Sequence, residues 1–152
     1  MNDSNRVSTR ARIKARRSAV QALYQWLITE TSLSEILDEF EAERRELDKA
    51  DKVYFRSVVE GVGQHRDVLE ALMGNCLDRP VNELDPVEHS ILWLAIYEMK
   101  FQADIPVRVI INESIELAKM FGAEESHKYI NGIVDRVSRQ IRSNESGNVV
   151  NS

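Results

Sequence analysis

The stretch DPVEHSILWLAIYEM, residues 85–99, decides the fold that the sequence predicts. Asp85 carries the side-chain oxygen of an N-cap, Pro86 fits the first helical position, and Glu88 can reach back from the third. The run ILWLAIY, residues 91–97, is compatible with a buried strand when it is read alone. The cap before this run and the helix-compatible EMKFQ after it favour a helix that is buried nearly all round.

Helical spacing of the apolar residues continues on both sides of this segment. It is present in residues 10–29, 32–46 and 51–73 before the segment, and in residues 107–121 and 125–142 after it. The beginning of the fourth of these stretches, VRVII, is rich in β-branched residues and resembles a strand, but its apolar residues continue a helical stripe. The sequence therefore predicts an all-α fold of six to seven helices with short connections.

Several residues mark where these helices begin, end or pack closely. Ser32 and Ser34 are alternative caps for the second helix. Gly61 and Gly63 lie inside a helical pattern, where each glycine costs up to ~1 kcal/mol relative to alanine. Close packing or a local bend is therefore expected there. Gly122 is a good residue for the end of the helix over 107–121.

Length and composition indicate an ordinary soluble domain. The chain has 152 residues, of which 43% are hydrophobic and 30% are charged. Chains of this length bury roughly 70% of the surface that they expose when unfolded, so no metal or disulfide is needed for folding. Cys76 is the one cysteine, which excludes an intrachain disulfide. The longest apolar run has seven residues, against the ~20 needed to cross a bilayer. We expect a cytoplasmic protein that has no contact with a membrane.

The charge is divided unevenly along the chain. Residues 1–17 carry a net charge of +5, and the remaining residues carry −10. A basic segment on an acidic body is compatible with binding to nucleic acid, to a membrane surface or to an acidic protein, or with no binding role, and nucleic acid is favoured. The basic residues of the first helix straddle its apolar stripe, with Arg10, Lys14 and Arg17 on one flank and Arg12 and Arg16 on the other.

The last helix supplies an aromatic candidate for RNA binding. Tyr129 lies about 100° away from the apolar stripe of its helix, and Lys128 precedes it. Unpaired bases stack on flat side chains, while cations neutralise phosphates. The alternative interpretation is that the ring of Tyr129 covers the edge of the core.

The residues give little support to catalysis. His65, His89 and His127 belong to different predicted helices and lack the spacing of metal ligands. Cys76 has no activating partner in the sequence, and no glycine-rich phosphate loop is present. We therefore predict a binding protein with no enzymatic activity, no metal and no cofactor.

Three stretches resemble one known family. ARRSAVQALYQW, residues 15–26, looks like the first helix of the NusB family. INESIELAKMFGAEESHKYINGIVDRV, residues 111–137, is similar to the C-terminal signature of that family, and LDPVEHSILWLAIYEM, residues 84–99, fits the same template. The resemblance covers roughly residues 10–142 and implies two small helical subdomains packed together.

The resemblance also implies a function. Proteins of this family are transcription antitermination factors without catalytic activity, which bind the boxA element of ribosomal RNA transcripts. They pair with NusE, a small-subunit ribosomal protein, and join other Nus factors on RNA polymerase. The positions that the resemblance assigns to RNA are Arg12, Lys14, Arg16, Lys128 and Tyr129. The position that it assigns to NusE is Glu88, and Glu83 is a further candidate for partner binding.

Two alternatives to this function remain open. One is an RNA-binding module related to the NusB-like domain of ribosomal RNA methyltransferases, and the other is a structural helical homodimer with an incidental basic segment. The predicted organisation is a flexible basic arm over residues 1–9, a NusB-like helical domain over residues 10–142, and a disordered tail over residues 143–152.

Overall fold

The computed structural model describes the backbone of residues 2–143 and the side chains of residues 9–143. Within this range the protein is all-α and contains no β-strand. The α-helices of the described residues are α1 Asn2–Ile28, α2 Leu33–Glu43, α3 Lys52–Gln64, α4 Arg66–Gly74, α5 Pro86–Phe101, α6 Val107–Phe121 and α7 Ser126–Ile141. Short 3-10 helices lie at Arg45–Lys49 and Val81–Glu83. The predicted all-α fold of six to seven helices is confirmed.

Two predictions concern the ends of the chain. The backbone of residues 2–9 belongs to α1, but the side chains of residues 1–8 lie outside the described residues. Residues 144–152 lie outside them as well. The flexible arm over residues 1–9 and the disordered tail over residues 143–152 therefore stay predictions.

The chain divides into two compact helical units between Gln64 and His65. In the first unit, α1 packs mainly against α3 and also contacts α2. The face of α1 that is turned to the interior is rich in alanine, and Ala15, Ala19 and Ala22 are completely buried. Such small side chains let neighbouring helices approach closely.

Caps and glycines set the geometry of the first unit. The Ser32 side chain accepts a hydrogen bond from the Glu35 backbone N–H over 3.2 Å, so Ser32 is the cap of α2. The predicted close packing at Gly63 is confirmed, because a Cβ atom there would lie 2.6 Å from Cδ2 of Leu33. The long helical pattern over residues 51–73 is divided into α3 and α4 by a turn at His65.

The second unit is built around α5. Asp85 caps this helix by accepting hydrogen bonds from the backbone N–H groups of Val87 and Glu88, over 2.8 and 3.2 Å. Every residue from Glu88 to Met99 is buried, which confirms the prediction of a helix covered nearly all round. Helices α4, α6 and α7 pack against it.

An arginine completes the C-terminal end of α5. The guanidinium of Arg142, just after α7, donates to the backbone carbonyl oxygens of Glu98, Met99, Gln102 and Ile105. The last carbonyl groups of a helix have no partners within the helix. Two of the four acceptors, Glu98 and Met99, lie in the last turn of α5, and the other two, Gln102 and Ile105, follow it. Arg142 thereby fixes the end of α7 against the end of α5 and the segment after it.

Candidate nucleic-acid interface

The cations of α1 fall into two groups, as the helical spacing predicts. Arg10 and Arg17 are exposed and Lys14 is partly exposed. Within the described side chains of residues 9–143, none of these three forms an ion pair with an acid. Their charges are therefore available to an external anion such as a phosphate.

Arg12 and Arg16 share the other flank, where both approach one aromatic ring. The guanidinium carbon of Arg12 lies 4.1 Å from the centroid of the Tyr54 ring, and that of Arg16 lies 5.7 Å from it. Arg12 also lies 3.8 Å from an Asp51 carboxylate oxygen, measured from its Nη2 atom. Asp51 is itself fixed at the start of α3, because its side chain accepts from the Tyr54 backbone N–H over 3.0 Å.

These contacts distinguish the two arginines from the exposed cations. Arg16 is only 5% exposed, so its guanidinium belongs to the interior of the first unit. Arg12 is partly exposed and is held between a ring and a carboxylate. Arg12 is therefore partly accessible to an RNA phosphate, whereas Arg16 is covered in this conformation. Their assignment to RNA stays a prediction.

Tyr129 lies in the second unit, in the first half of α7, and is half-buried. Its hydroxyl donates to Asp78 Oδ1 over 3.2 Å. The guanidinium of Arg79 covers the ring, with its central carbon 4.6 Å from the centroid, and its Nε atom lies 2.9 Å from the same Asp78 oxygen. Lys128 is exposed and forms an ion pair with Glu125 over 3.0 Å. The predicted partial exposure of Tyr129 is confirmed.

The contacts among Asp78, Arg79 and Tyr129 shift the pKa values of all three side chains. The hydrogen bond from Arg79 is the main cause that lowers the pKa of Asp78, and it raises the pKa of Arg79. Burial raises the pKa of Tyr129, although the positive charge of Arg79 acts in the opposite direction. All three groups therefore keep their usual neutral-pH states, with a carboxylate, a guanidinium and a neutral phenol.

The two acids that are candidates for partner binding differ in accessibility. Glu83, in the short helix Val81–Glu83, is exposed. Glu88 is only 9% exposed, and its Oε2 atom accepts a hydrogen bond from the Ser126 hydroxyl over 2.9 Å. The expectation that Glu88 reaches back as part of a capping box is therefore wrong, because its carboxylate turns to α7. Its assignment to NusE stays a prediction.

Sequence reasoning missed Asp78 and Arg79 as part of this site. They lie between α4 and the next short helix, 51 and 50 residues before Tyr129 along the chain. No helical periodicity applies in such a connection. The available signal was a pair of adjacent charges, Asp78 and Arg79, shortly before the stretch of residues 84–99. That signal becomes specific only in three dimensions.

The contacts and burial of His89 and Cys76 indicate roles in packing rather than in catalysis. His89 Nε2 lies 2.9 Å from Glu70 Oε2, and its ring packs on Trp93 with centroids 4.4 Å apart. Burial raises the pKa of the Cys76 thiol, which disfavours the reactive thiolate. Among the described residues, no group of three or more His, Cys, Asp or Glu residues is placed to hold a metal ion. In the same part of the chain, no helix combines the length and hydropathy needed to cross a membrane.

The fold and the first helix define an all-helical protein that presents exposed cations on α1. A sequence profile described as the NusB family matches residues 13–139. The chain belongs to the NusB family, whose members are transcription antitermination factors.

Individual relatives agree with this assignment. The chain is 47% identical over 135 residues to a transcription antitermination protein NusB of a Marinomonas species, covering 88% of this chain and 78% of that protein. It is 49% identical over 127 residues to the NusB of Pasteurella multocida, covering 84% and 88%.

Solved structures of NusB proteins have the same fold. The structure of T. maritima NusB is 32% identical and superposes with a TM-score of 0.71, covering 84% of this chain and 90% of that one. A NusB protein crystallised with NusE and double-stranded RNA is 20% identical, with a TM-score of 0.72 and coverage of 86% and 98%.

Proposed function

We propose that this chain binds boxA-type single-stranded RNA of ribosomal RNA transcripts together with NusE. It acts in the cytoplasm in a larger complex with other Nus factors and RNA polymerase, by binding alone. The observation that carries the RNA part is the group of accessible cations Arg10, Lys14 and Arg17, none of which is paired with an acid within residues 9–143. Family membership supports the rest, as does a protein of the same fold that was crystallised with NusE and double-stranded RNA.

The antitermination role is favoured over the two alternatives. The relatives that carry this description match the chain over 78% and 88% of their own lengths. No observation on the described residues favours a methyltransferase module or a structural homodimer.

RNA binding is tested by titrating a fluorescent boxA-type RNA with the protein and following anisotropy at several salt concentrations. For single-stranded RNA, each lost phosphate contact reduces the slope of log K against log salt by about 0.7. We expect the triple variant Arg10→Ala, Lys14→Ala, Arg17→Ala to bind more weakly, with a slope reduced by about 2. Arg45→Ala, an exposed cation elsewhere in the first unit, is the matched control.

Two results would contradict the proposal at different points. Equal affinity of wild type for boxA-type and scrambled RNA would remove the sequence preference. Wild-type affinity and slope in the triple variant, with the control also unchanged, would remove Arg10, Lys14 and Arg17 from the RNA site.

Partner binding is tested on the exposed acid Glu83. Residues 61–100 carry a local net charge of −4, which suits a basic ribosomal protein. We expect Glu83→Lys to weaken NusE binding in calorimetric titration without changing the unfolding midpoint. Asp104→Lys makes the same charge change at another exposed position of the second unit and should bind NusE normally. Normal NusE binding by Glu83→Lys would place the partner surface elsewhere.

A further inference from the structure

Asp78, Arg79 and Tyr129 form a closed set of contacts, which we name the Asp–Arg–Tyr cluster. The central carbon of the Arg79 guanidinium lies over the Tyr129 ring, 4.6 Å from its centroid. Asp78 accepts hydrogen bonds from both partners, over 2.9 Å from Arg79 and 3.2 Å from the tyrosine hydroxyl. The cluster therefore holds a guanidinium in a fixed place beside the aromatic residue that the proposed function assigns to RNA.

The accessibility of Arg79 distinguishes it from a structural arginine. Its side chain is 42% exposed, and the side chain of Asp78 is 61% exposed. By contrast, Arg142 uses its guanidinium on four backbone carbonyl groups. An exposed ion pair contributes little to stability because water and salt screen it. The bond between Arg79 and Asp78 can therefore be exchanged at small cost to the fold.

The chemistry of a guanidinium indicates what would replace Asp78. Carboxylate and phosphate groups both accept the paired N–H donors of arginine. Single-stranded RNA offers a phosphate beside every base, and bases stack on tyrosine rings and on arginine planes. A nucleotide at the cluster would satisfy Arg79 through its phosphate, and Arg79 and Tyr129 would together provide a stacking surface.

We propose that Arg79 is a further RNA-binding residue and that Asp78 is its internal competitor, which an RNA phosphate replaces on binding. This inference rests on the proposed function, since it requires RNA at Tyr129. The ligand is one nucleotide of single-stranded RNA, bound through its phosphate and its base. Tyr129 positions the guanidinium and thereby reduces the loss of side-chain entropy when the phosphate binds.

The test is a double-mutant cycle on Asp78 and Arg79, with fluorescence anisotropy of boxA-type RNA as the readout. Arg79→Ala should weaken binding about tenfold and reduce the salt slope by about 0.7. Asp78→Asn keeps the shape of the side chain but removes the competing charge, so it should tighten binding about two- to fivefold. In the Arg79→Ala background, Asp78→Asn should tighten RNA binding less than it does in wild type, because the arginine for which Asp78 competes is absent.

Controls separate a role in binding from a role in folding. Arg108→Ala removes an exposed cation at the start of α6 and should leave the affinity for RNA unchanged. Arg79→Lys keeps the charge but not the planar fork, so its affinity should lie between those of wild type and Arg79→Ala. All variants should have the urea unfolding midpoint of wild type, because the replaced groups are exposed.

The outcomes also separate this inference from the proposed function. If wild type binds boxA-type RNA and Arg79→Ala has the same affinity and salt slope, the role of Arg79 is overturned but the proposed function is not. Equal tightening by Asp78→Asn in the presence and absence of Arg79 overturns the competition between them. Wild-type protein that binds no RNA overturns both the inference and the proposed function.

Discussion

The hydrogen bond between Ser126 and Glu88 connects α7 to the start of α5, and its loss should destabilise the second unit measurably. The Ser126 hydroxyl donates to a carboxylate that is only 9% exposed, over 2.9 Å. A hydrogen bond to a charged group contributes about 1.5–3 kcal/mol, and a buried carboxylate that loses its donor also keeps its desolvation cost. We expect Ser126→Ala to lower the free energy of unfolding by about 2 kcal/mol.

Two substitutions of Glu88 show which property of the carboxylate matters. In Glu88→Gln, the amide oxygen can accept the same hydrogen bond, and the favourable interaction of a negative charge with the start of α5, about 0.3–1 kcal/mol, is lost. In Glu88→Lys, an ammonium group replaces the acceptor and lies at the positive end of the helix. The expected order of stability is wild type, Glu88→Gln, Ser126→Ala and finally Glu88→Lys.

The assay is urea unfolding followed by far-UV circular dichroism. A shift of the midpoint with an unchanged slope reports a change in stability. A midpoint of wild-type value in Ser126→Ala would refute the reasoning, because the hydrogen bond would then contribute nothing. If Glu88→Lys were as stable as wild type, the side chain at position 88 would not be held in the buried position that the structure gives it.

The same series decides how NusE binding to these variants is interpreted. Glu88→Lys combines a change of charge with a loss of stability, so weaker NusE binding by that variant has two possible causes. Glu88→Gln removes the charge and retains the fold. Weaker NusE binding by Glu88→Gln would therefore assign the charge of Glu88 to the partner surface, although the residue is buried in this structure.

Three further predictions concern stability. Gly122→Ala should lower the free energy of unfolding by about 1–3 kcal/mol, since its Cβ atom would lie 2.8 Å from a backbone oxygen. Gly132→Ala, in the exposed middle of α7 with open space around its Cβ position, should raise stability by about 0.5–1 kcal/mol. Arg142→Ala should lower the urea midpoint strongly, and Arg142→Lys should recover part of it, because one ammonium serves fewer of the four carbonyl groups. A wild-type midpoint in Gly122→Ala or Arg142→Ala would contradict the corresponding contact.

The helices were predictable because their signals are local. Asp85 and Pro86 define the start of α5 within one turn, and Ser32 does the same for α2. The wheel of α1 separates two flanks of cations correctly, since the flanks depend on spacing alone. Local capping and periodicity act over three or four residues, and a single sequence displays them directly.

The partners of the candidate binding residues were not predictable for the opposite reason. Tyr54 approaches Arg12 from another helix, Arg79 approaches Tyr129 from a distance of 50 residues, and Ser126 approaches Glu88 from 38. Helix packing brings these pairs together, and nothing in the spacing along one helix reports them. The sequence therefore predicted which face of a helix a residue lies on, but not whether another part of the chain packs against that face.

In both units an arginine lies over a tyrosine ring beside an aspartate, although the hydrogen bonds differ. The Tyr129 hydroxyl donates to Asp78, whereas Asp51 accepts from the backbone N–H of Tyr54. Arg12 lies over Tyr54 beside Asp51, and Arg79 lies over Tyr129 beside Asp78. The freely exposed cations of α1 attract any polyanion, and salt screens this attraction. An arginine held on a ring has an aspartate that competes for its N–H donors. We expect a phosphate to bind it most strongly where a stacking base contacts the same arginine. We therefore expect the exposed cations to set the salt dependence and the rate of association, and the ring-held arginines to set the preference for RNA whose bases are unpaired at those positions.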